Sequence, residues 1–529
     1  MKVLLADAVA AECGEILRAA GHEVVDSPGL PRAELEAALA DCEGLVVRSA
    51  TTVDAELLAA APELRVIGRA GSGVDNIDVT TATERGVVVM NAPGENTLSA
   101  AEHAFALMMA LSRNIAPAHQ RMREGEWSKK GLMGVELHGK TLGVLGLGRI
   151  GREFAVRAKA FGMRVLGYDP FLPPEVAERL GIELATLEEI WPEADFLTVH
   201  APLTERTHHL VGREALAACK PGLRLVNCAR GGLVDEQALL DALDSGRVAG
   251  AALDVFEQEP LPADSPLRGH PGLVLTPHLG ASTTEAQEKV AVRIAEQFVA
   301  FFGEGVVRNA VNMIAVDART AERLKPWQVL AETMGALQAE LLDGRVEEIT
   351  VQVAGELGEL PLRALTSAVL KGLLDRLLSQ TVNLVNAESV ARAHGYAVRE
   401  VRGQETDGYA GLLTVTLRSD RGEHLLEGAV FGRNHPKVVR MDDFYIETDA
   451  KGVILFCQND DRPGRLAAVT AALAAHEVNI ADLALGRHRE TGRALNAIHL
   501  DQELPPAGLA EVRAVEGVRW ARVVRMPVR

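Results

Sequence analysis

Thr141-Leu142-Gly143-Val144-Leu145-Gly146-Leu147-Gly148-Arg149-Ile150-Gly151 reads as a buried strand running straight into a glycine-rich turn. Thr141 to Leu145 is short and nearly all apolar, as a parallel strand covered on both faces requires. An amphipathic stretch from Arg152 to Phe161 follows as a helix, then a second strand, Arg164 to Tyr168, ending at Asp169. GxGxxG alone is weak evidence, but with its strand, helix and following acid in place it points to a dinucleotide site. Gly146 allows the tight turn, Gly148 lets the backbone approach a pyrophosphate, and Gly151 lets the helix pack closely on the strand. The helix N-terminus offers free N–H groups and the positive end of its dipole to phosphate. Asp169, 18 residues past Gly151, is placed to accept hydrogen bonds from the adenosine ribose hydroxyls. Its charge repels a 2′-phosphate, so NAD is expected rather than NADP.

Outward from this motif, the same texture extends over the first 310 residues. Val3 to Leu5, Leu45 to Val47, Arg65 to Ile67 and Val87 to Val89 are short strands, and Ala8 to Ala20 is a helix stopped by Gly21. Strands alternating with helices predict parallel sheets with helices on both faces, and the length predicts two such α/β domains. Residues 318–450 change character: Glu347 to Val353 and Gly411 to Leu417 are strands of half-buried sheet, separated by one Ala/Leu-rich helical stretch. From Gly452 the order is strand, helix, strand, strand, helix, strand, a ferredoxin-like βαββαβ unit. Val453 to Cys457 and Leu495 to Leu500 are its clearest strands, and Gly464 to His476 is its first helix.

With 529 residues the chain exceeds what one core can bury, and 47% hydrophobic against 24% charged residues is ordinary globular composition. The net charge of −18 argues against nucleic-acid and anionic-membrane partners, and an anionic substrate then demands a local cluster of arginine and lysine. The five cysteines, Cys13, Cys42, Cys219, Cys228 and Cys457, form no CxxC pair and read as reduced thiols, with neither disulfide framework nor metal site. The N-terminus lacks a signal-peptide core, and no apolar run reaches the ~18 residues of a membrane span. A cytoplasmic protein is expected.

Three more segments place polar residues just past strand ends, where open α/β sheets bind ligands. They are Val226-Asn227-Cys228-Ala229-Arg230-Gly231-Gly232, Ala251-Ala252-Leu253-Asp254-Val255-Phe256-Glu257-Gln258-Glu259-Pro260, and Thr276-Pro277-His278-Leu279-Gly280 after the strand Gly272 to Leu275. Removing hydride from an alcohol needs a base for the hydroxyl proton, and a neutral histidine suits that near pH 7. A carboxylate beside it orients the ring, and a planar guanidinium suits a substrate carboxylate. Taken singly, His278 also fits an ordinary loop histidine, Glu259 a solvated acid, and Arg230 a surface charge.

Together, GLGRIG, NCARGGLVDEQAL, ALDVFEQEP and TPHLGAST resemble the D-isomer-specific 2-hydroxyacid dehydrogenase family. The resemblance implies Arg230 as carboxylate-binding residue, Glu259 as partner of the histidine, and His278 as acid/base. It implies NAD contacts from Gly146, Gly148, Arg149, Ile150, Gly151, Asp169, Ala201, Cys228, Ala229, Arg230, Asp254, His278, Gly280 and Ala281. It implies a discontinuous substrate-binding domain, residues 1–97 and 282–312, around an NAD-binding Rossmann domain of residues 98–281, both flavodoxin- or Rossmann-like and doubly wound. The loops carrying Arg48, Arg69, Ser72, Gly73, Asn96, Lys129 and Lys130 are similar to those of the phosphoglycerate-oxidising branch, which makes D-3-phosphoglycerate the expected substrate. Gly71 and Gly73 would offer N–H groups to its carboxylate, and Arg48 and Arg69 would hold its phosphate, with Lys129 or Lys130 from a neighbouring subunit. The C-terminal unit, residues 452–529, resembles an ACT domain, and residues 318–450 the intervening α+β domain of the long form. In that unit L-serine would bind between paired ACT domains through Asn459, Asp461 and Asn479, in a homodimer or homotetramer. Lys437 and Arg440 are candidates for a further anion-sensitive surface. Two alternatives stay open: a dehydrogenase of another D-2-hydroxy acid, and an NAD-sensing corepressor on the same fold.

Overall fold

The computed structural model describes residues 1–529 except residues 315, 317, 405, 407, 433, 528 and 529, so the last two residues of the expected C-terminal unit lie outside it. Four sheets follow one another along the chain. The first is parallel and five-stranded, in the order Glu23–Asp26, Lys2–Leu5, Gly44–Val47, Val66–Arg69, Val88–Asn91. Gly44–Val47 is wholly buried and Val66–Arg69 nearly so, which explains why they read as unbroken apolar runs.

The second sheet is parallel and seven-stranded, in the order Leu273–Leu275, Val248–Leu253, Leu223–Asn227, Phe196–Val199, Thr141–Leu145, Arg164–Tyr168, Glu183–Leu184. Its order reverses between Thr141–Leu145 and Phe196–Val199, and at such a switch point the loops at the strand C-termini part to leave a crevice. The helix after the glycine turn runs Arg149–Ala160, beginning three residues earlier than the sequence pattern suggests. Gly148 serves as its N-cap in extended backbone, so Ile150 and Gly151 already belong to the first turn.

After the second sheet the chain returns to the first. The helix Thr284–Glu304 lays Val290, Ile294 and the fully buried Phe298 into one core with Val3, Val46, Val66 and Met90. The Asn312 side chain then accepts from Val89 N (2.9 Å) and donates to Val87 O (2.8 Å). The helix Thr97–Ser112 starts directly beyond the last strand of the first sheet and packs against the second through Ala104, Met108 and Leu111.

The third sheet, ordered Ala397–Arg402, Val346–Gly355, Gly411–Ser419, Gly422–Phe431, His435–Met441, Phe444–Thr448, is antiparallel apart from its first pair. Here the sequence expectation of a single helical stretch between Glu347–Val353 and Gly411–Leu417 is corrected. Two helices, Leu362–Leu377 and Ala387–Ala393, and the strand Ala397–Arg402 lie there. Every residue of that strand is exposed, so it carries no apolar alternation by which to be recognised. The fourth sheet, ordered Ile480–His488, Arg493–Leu500, Gly452–Asp460, Val518–Met526, has the expected βαββαβ connectivity. One face is covered by its own helices, while Ile454, Phe456, Leu495 and Val524 share a core with the long helix Ala318–Leu341. The regulatory-sized unit is thus joined to the third sheet. The unit of the third sheet in turn grips the first domain, where Asn383 Nδ2 donates to Gly86 O (2.8 Å) and Val385 enters the core.

Among the described residues no helix is long and apolar enough to cross a membrane. All five cysteines are free thiols, four of them buried.

Candidate active site

The turn after Thr141–Leu145 is built as a cradle. Gly146 has φ +95°, and a Cβ there would lie 2.6 Å from the His200 carbonyl oxygen. Gly151 packs directly on the Gly146 carbonyl, leaving no room for a side chain. Above Gly148 there is open space, and the Arg149–Ala160 helix has no side-chain cap, so its first N–H groups face an opening of the kind a pyrophosphate fills. Asp169 closes the turn: its Oδ2 accepts from Leu147 N and its Oδ1 from Phe171 N, both at 2.9 Å. Arg149 reaches across to lie against Gly94 of the first domain. These residues fit NAD, which when bound supplies a hydride acceptor. Asp169→Ser is expected to shift the NADP-to-NAD ratio of kcat/KM upward by about tenfold or more, since a like charge beside a phosphate costs upwards of ~1.4 kcal/mol. Steady-state kinetics with both cofactors checks it.

His278 and Glu259 form a pair, with Nδ1 2.8 Å from Oε2. Burial pushes the Glu259 carboxyl up, but the hydrogen bond and charge of His278 outweigh it and hold the group below its ordinary value. An ionised carboxylate only accepts, so Nδ1 carries the shared proton, and in the neutral ring Nε2 is the nitrogen with the lone pair. The other Glu259 oxygen accepts from Phe256 N (3.0 Å), which fixes the carboxylate.

Three guanidiniums crowd one another nearby, and the charge of one of them, Arg230, also acts on Glu259. Arg69 is pushed down to about 10 by burial, then by the charges of Arg230 and Arg48. Its Nε is buried without a partner. Arg230 bridges the cleft: Nε donates to Asp75 Oδ2 (3.0 Å), Nη1 to the Ala229 carbonyl (2.6 Å), and the guanidinium lies over Gly73. Arg48 is held by its backbone N–H on buried Asp7 (2.6 Å), while its Nη1 donates to the Ala8 carbonyl (3.2 Å). Arg48 also lines a cavity of about 610 Å³ with Ala10, Glu12, Ser282, Thr283 and Gln287. Ser72 Oγ donates to Asn96 Oδ1 (2.8 Å), tying two more of the expected substrate residues together.

Several sequence expectations are placed differently. The Gly71 N–H is turned onto the Arg69 carbonyl (2.7 Å), whereas the Gly73 N–H has no partner among the described residues. Lys129 and Lys130, expected to act from a neighbouring subunit, lie in an exposed segment, where Arg121 donates to the Lys130 carbonyl (2.7 Å). Asp254 is completely buried and its carboxylate is taken up by Thr276, Leu279, Gly280 and His103, so it braces a turn. Cys228 and Ala229 sit half-buried beside it, and burial pushes the Cys228 thiol up. Ala201 follows His200, whose burial lowers it to about 4. Asp7, Asp75, Asn76 and His103 escaped sequence reasoning. Asp7 stands two positions past a strand end, where a polar residue was the available signal; Asp75 and Asn76, the latter donating to the Arg48 carbonyl (2.8 Å), lie deeper in the following loop, and mid-helix His103 gave no signal.

Residues 105–280 match the NAD binding domain of D-isomer specific 2-hydroxyacid dehydrogenases, residues 323–442 the D-3-phosphoglycerate dehydrogenase intervening domain, and residues 453–517 the ACT domain. The D-3-phosphoglycerate dehydrogenase of Methanocaldococcus jannaschii is 40% identical over 527 residues, covering 99% of this chain and 100% of the relative. The chain belongs to the D-3-phosphoglycerate dehydrogenase family. The human enzyme of that name is 46% identical over 421 residues, 79% of each chain. Among solved structures, a Staphylococcus aureus NAD-dependent formate dehydrogenase in complex with NAD superposes with TM-score 0.54 at 30% identity, over 60% of this chain and all of that one. A Paecilomyes thermophila glyoxylate reductase gives 0.53 at 32% identity, over 59% and 98%. The dehydrogenase core is therefore common to enzymes of different substrates, and what marks this chain as a long D-3-phosphoglycerate dehydrogenase is the pair of C-terminal units.

In the ACT unit of this family member, Asn459 is buried, accepts from Asn496 Nδ2 (2.6 Å) and donates to the Asp460 carbonyl (2.7 Å). Asp461 is ion-paired with Arg487 at 2.7 Å. Asn479 lies elsewhere, bonded to Asp501 (2.6 Å) and Gln502 (2.9 Å). The strand register puts Asn479 at the Val453–Leu500 end of the sheet and Asn459 at the Ala494 end, roughly 20 Å apart at about 3.4 Å per residue. One chain does not assemble these three residues. In the intervening unit, Arg440 is spent on the Asp442 carbonyl (2.7 Å), the Glu427 carboxylate (3.6 Å) and the Tyr445 ring.

Proposed function

We propose that this protein oxidises D-3-phosphoglycerate to 3-phosphohydroxypyruvate with NAD, the first committed step of L-serine biosynthesis, under feedback by L-serine. The observation carrying the substrate is the gathering of Arg48, Arg69 and Arg230 beside the His278–Glu259 pair in a protein of net charge −18. Like charges crowded together raise one another's energy, and a ligand with both a carboxylate and a phosphate relieves that repulsion. Arg230, backed by the free Gly73 N–H, takes the carboxylate, which orients C2. Arg48 and Arg69 take the phosphate. His278 Nε2 accepts the C2 hydroxyl proton as the C2 hydride departs with its electron pair, and Glu259 stabilises the imidazolium that forms.

Effector binding between two copies is supported by the separation of Asn459 and Asp461 from Asn479. Ile480–His488 is an edge strand, and a second copy pairing antiparallel on it brings Asn479 of one chain beside Asn459 of the other. A homodimer or a larger even-numbered assembly follows, and a cytoplasmic setting fits this chemistry.

The test is NADH formation from D-3-phosphoglycerate and NAD at mildly alkaline pH, with and without L-serine, in the parent and in Asn459→Ala. Turnover suppressed by serine in the parent but not in the variant is expected. Turnover indifferent to serine removes the effector, turnover only with other D-2-hydroxy acids removes the substrate, and tight NADH binding without turnover favours a sensor.

A further inference from the structure

We propose that His103 is a positioning residue for the reaction, holding the turn that carries His278 through the buried carboxylate of Asp254. This rests on the reading of His278 as acid/base. His278 has φ +54°, a left-handed backbone that costs a residue with a Cβ about 1 kcal/mol and persists only where its surroundings impose it. The imposition comes from Asp254. Its carbonyl accepts from His278 N (2.9 Å), its Oδ1 from Leu279 N (2.7 Å) and the Thr276 hydroxyl (2.6 Å), and its Oδ2 from Gly280 N (2.8 Å). Residues 276 to 280 are therefore wrapped around one carboxylate with no exposure to water.

His103 secures that carboxylate from the far side. Its Nε2 lies 3.1 Å from Asp254 Oδ1 and 3.2 Å from Thr276 Oγ1. Because a carboxylate accepts only, Nε2 carries a hydrogen, and the neutral ring suffices. Burial alone would push the Asp254 carboxyl up; the bonds from His103 and Thr276 reverse that and keep it ionised. Four residues earlier on the same helix face, Ser99 Oγ donates to the Gly280 carbonyl (2.9 Å). Both residues sit on Thr97–Ser112, the helix that leaves the first domain at Asn96 and packs on the second. The element joining the two domains thus clamps the acid/base turn on one side of the cleft, while its leading loop, through Asn96 and Ser72, shapes the other. Truncating His103 leaves the turn in place but loosens its brace, and displacements near 1 Å at a reacting group cost up to about 10²-fold in rate.

The experiment compares His103→Leu, which fills the space without a donor, with His103→Gln, whose amide restores one. Both are read beside the parent on whichever D-2-hydroxy acid the parent turns over, so a wrong substrate shows in the parent alone. In the leucine variant kcat falls roughly ten- to a hundredfold and the pH profile of kcat/KM is displaced, while the KM for NAD stays within about twofold of the parent. The glutamine variant recovers most of kcat and the parental profile. If the leucine variant does not fold, His103→Asn, whose amide is too short to reach Asp254, replaces it. Parental kcat and pH profile in a leucine or asparagine variant, or a loss in kcat that glutamine fails to recover in a folded protein, overturns the proposal.

Discussion

His278→Ala lowers kcat by about 10²–10⁴-fold, the span that a positioned general base contributes, while Tm stays close to the parent. The rate falls because the proton of the C2 hydroxyl loses its acceptor, and water in the vacated space has no Glu259-oriented lone pair to offer. Stability is spared because the His278 side chain is 43% exposed and makes one ion pair, with a carboxylate that is itself 37% exposed. Removing such a pair costs ~1 kcal/mol at most. Stopped-flow measurement of the first turnover separates this from a change in product release. A variant with near-parental single-turnover rate would remove His278 from the chemistry.

Arg230→Ala is the second large effect: kcat/KM for the hydroxy acid falls by about 10²–10³-fold, as expected when one partner of a desolvated charge pair is truncated at a cost of ~2–5 kcal/mol. Arg230→Lys keeps the charge but not the planar fork, so it recovers only part of the loss. Before substrate arrives, Arg230 is held by Asp75 and the Ala229 carbonyl, a preorientation that a lysine cannot reproduce. A lysine variant with full activity would show that charge alone, without bidentate geometry, serves the carboxylate.

These two residues stood out in the chain because each lies three positions past the C-terminal end of a strand, and the family resemblance gave them their roles. The strand itself is marked by an apolar run, and a polar residue at its end is placed at the crevice whatever else happens in the fold. The glycine turn was legible for a related reason: Gly146 and Gly151 are required by backbone geometry within a dozen residues, so their spacing carries the information. The βαββαβ order after Gly452 is likewise local, a succession of periods in a short stretch.

What the chain could not disclose by itself depends on contacts across long separations. Arg69 reads as a strand-end charge, and only packing of the first sheet reveals it as buried, lacking a partner for Nε, and crowded by Arg48 and Arg230. Asp254 reads as a strand-end acid facing ligand; the return of the Thr276–Gly280 turn and the crossing of the Thr97–Ser112 helix convert it into an internal brace. Asn459 and Asn479 were expected to meet only across paired ACT domains, and it is antiparallel register that sets them at opposite ends of the sheet within one chain. The strand Ala397–Arg402 has no alternating face because both faces meet water. Periodicity and strand-end position report the environment each residue makes with its near neighbours, which is how the sequence by itself determined the order of α/β, α+β and βαββαβ units and the cofactor turn, while the roles expected of His278 and Glu259 came from the family resemblance. Which charges become buried together, and which helix braces which turn, is set by sheet order and helix crossing between segments more than a hundred residues apart, and there only the tertiary structure decides.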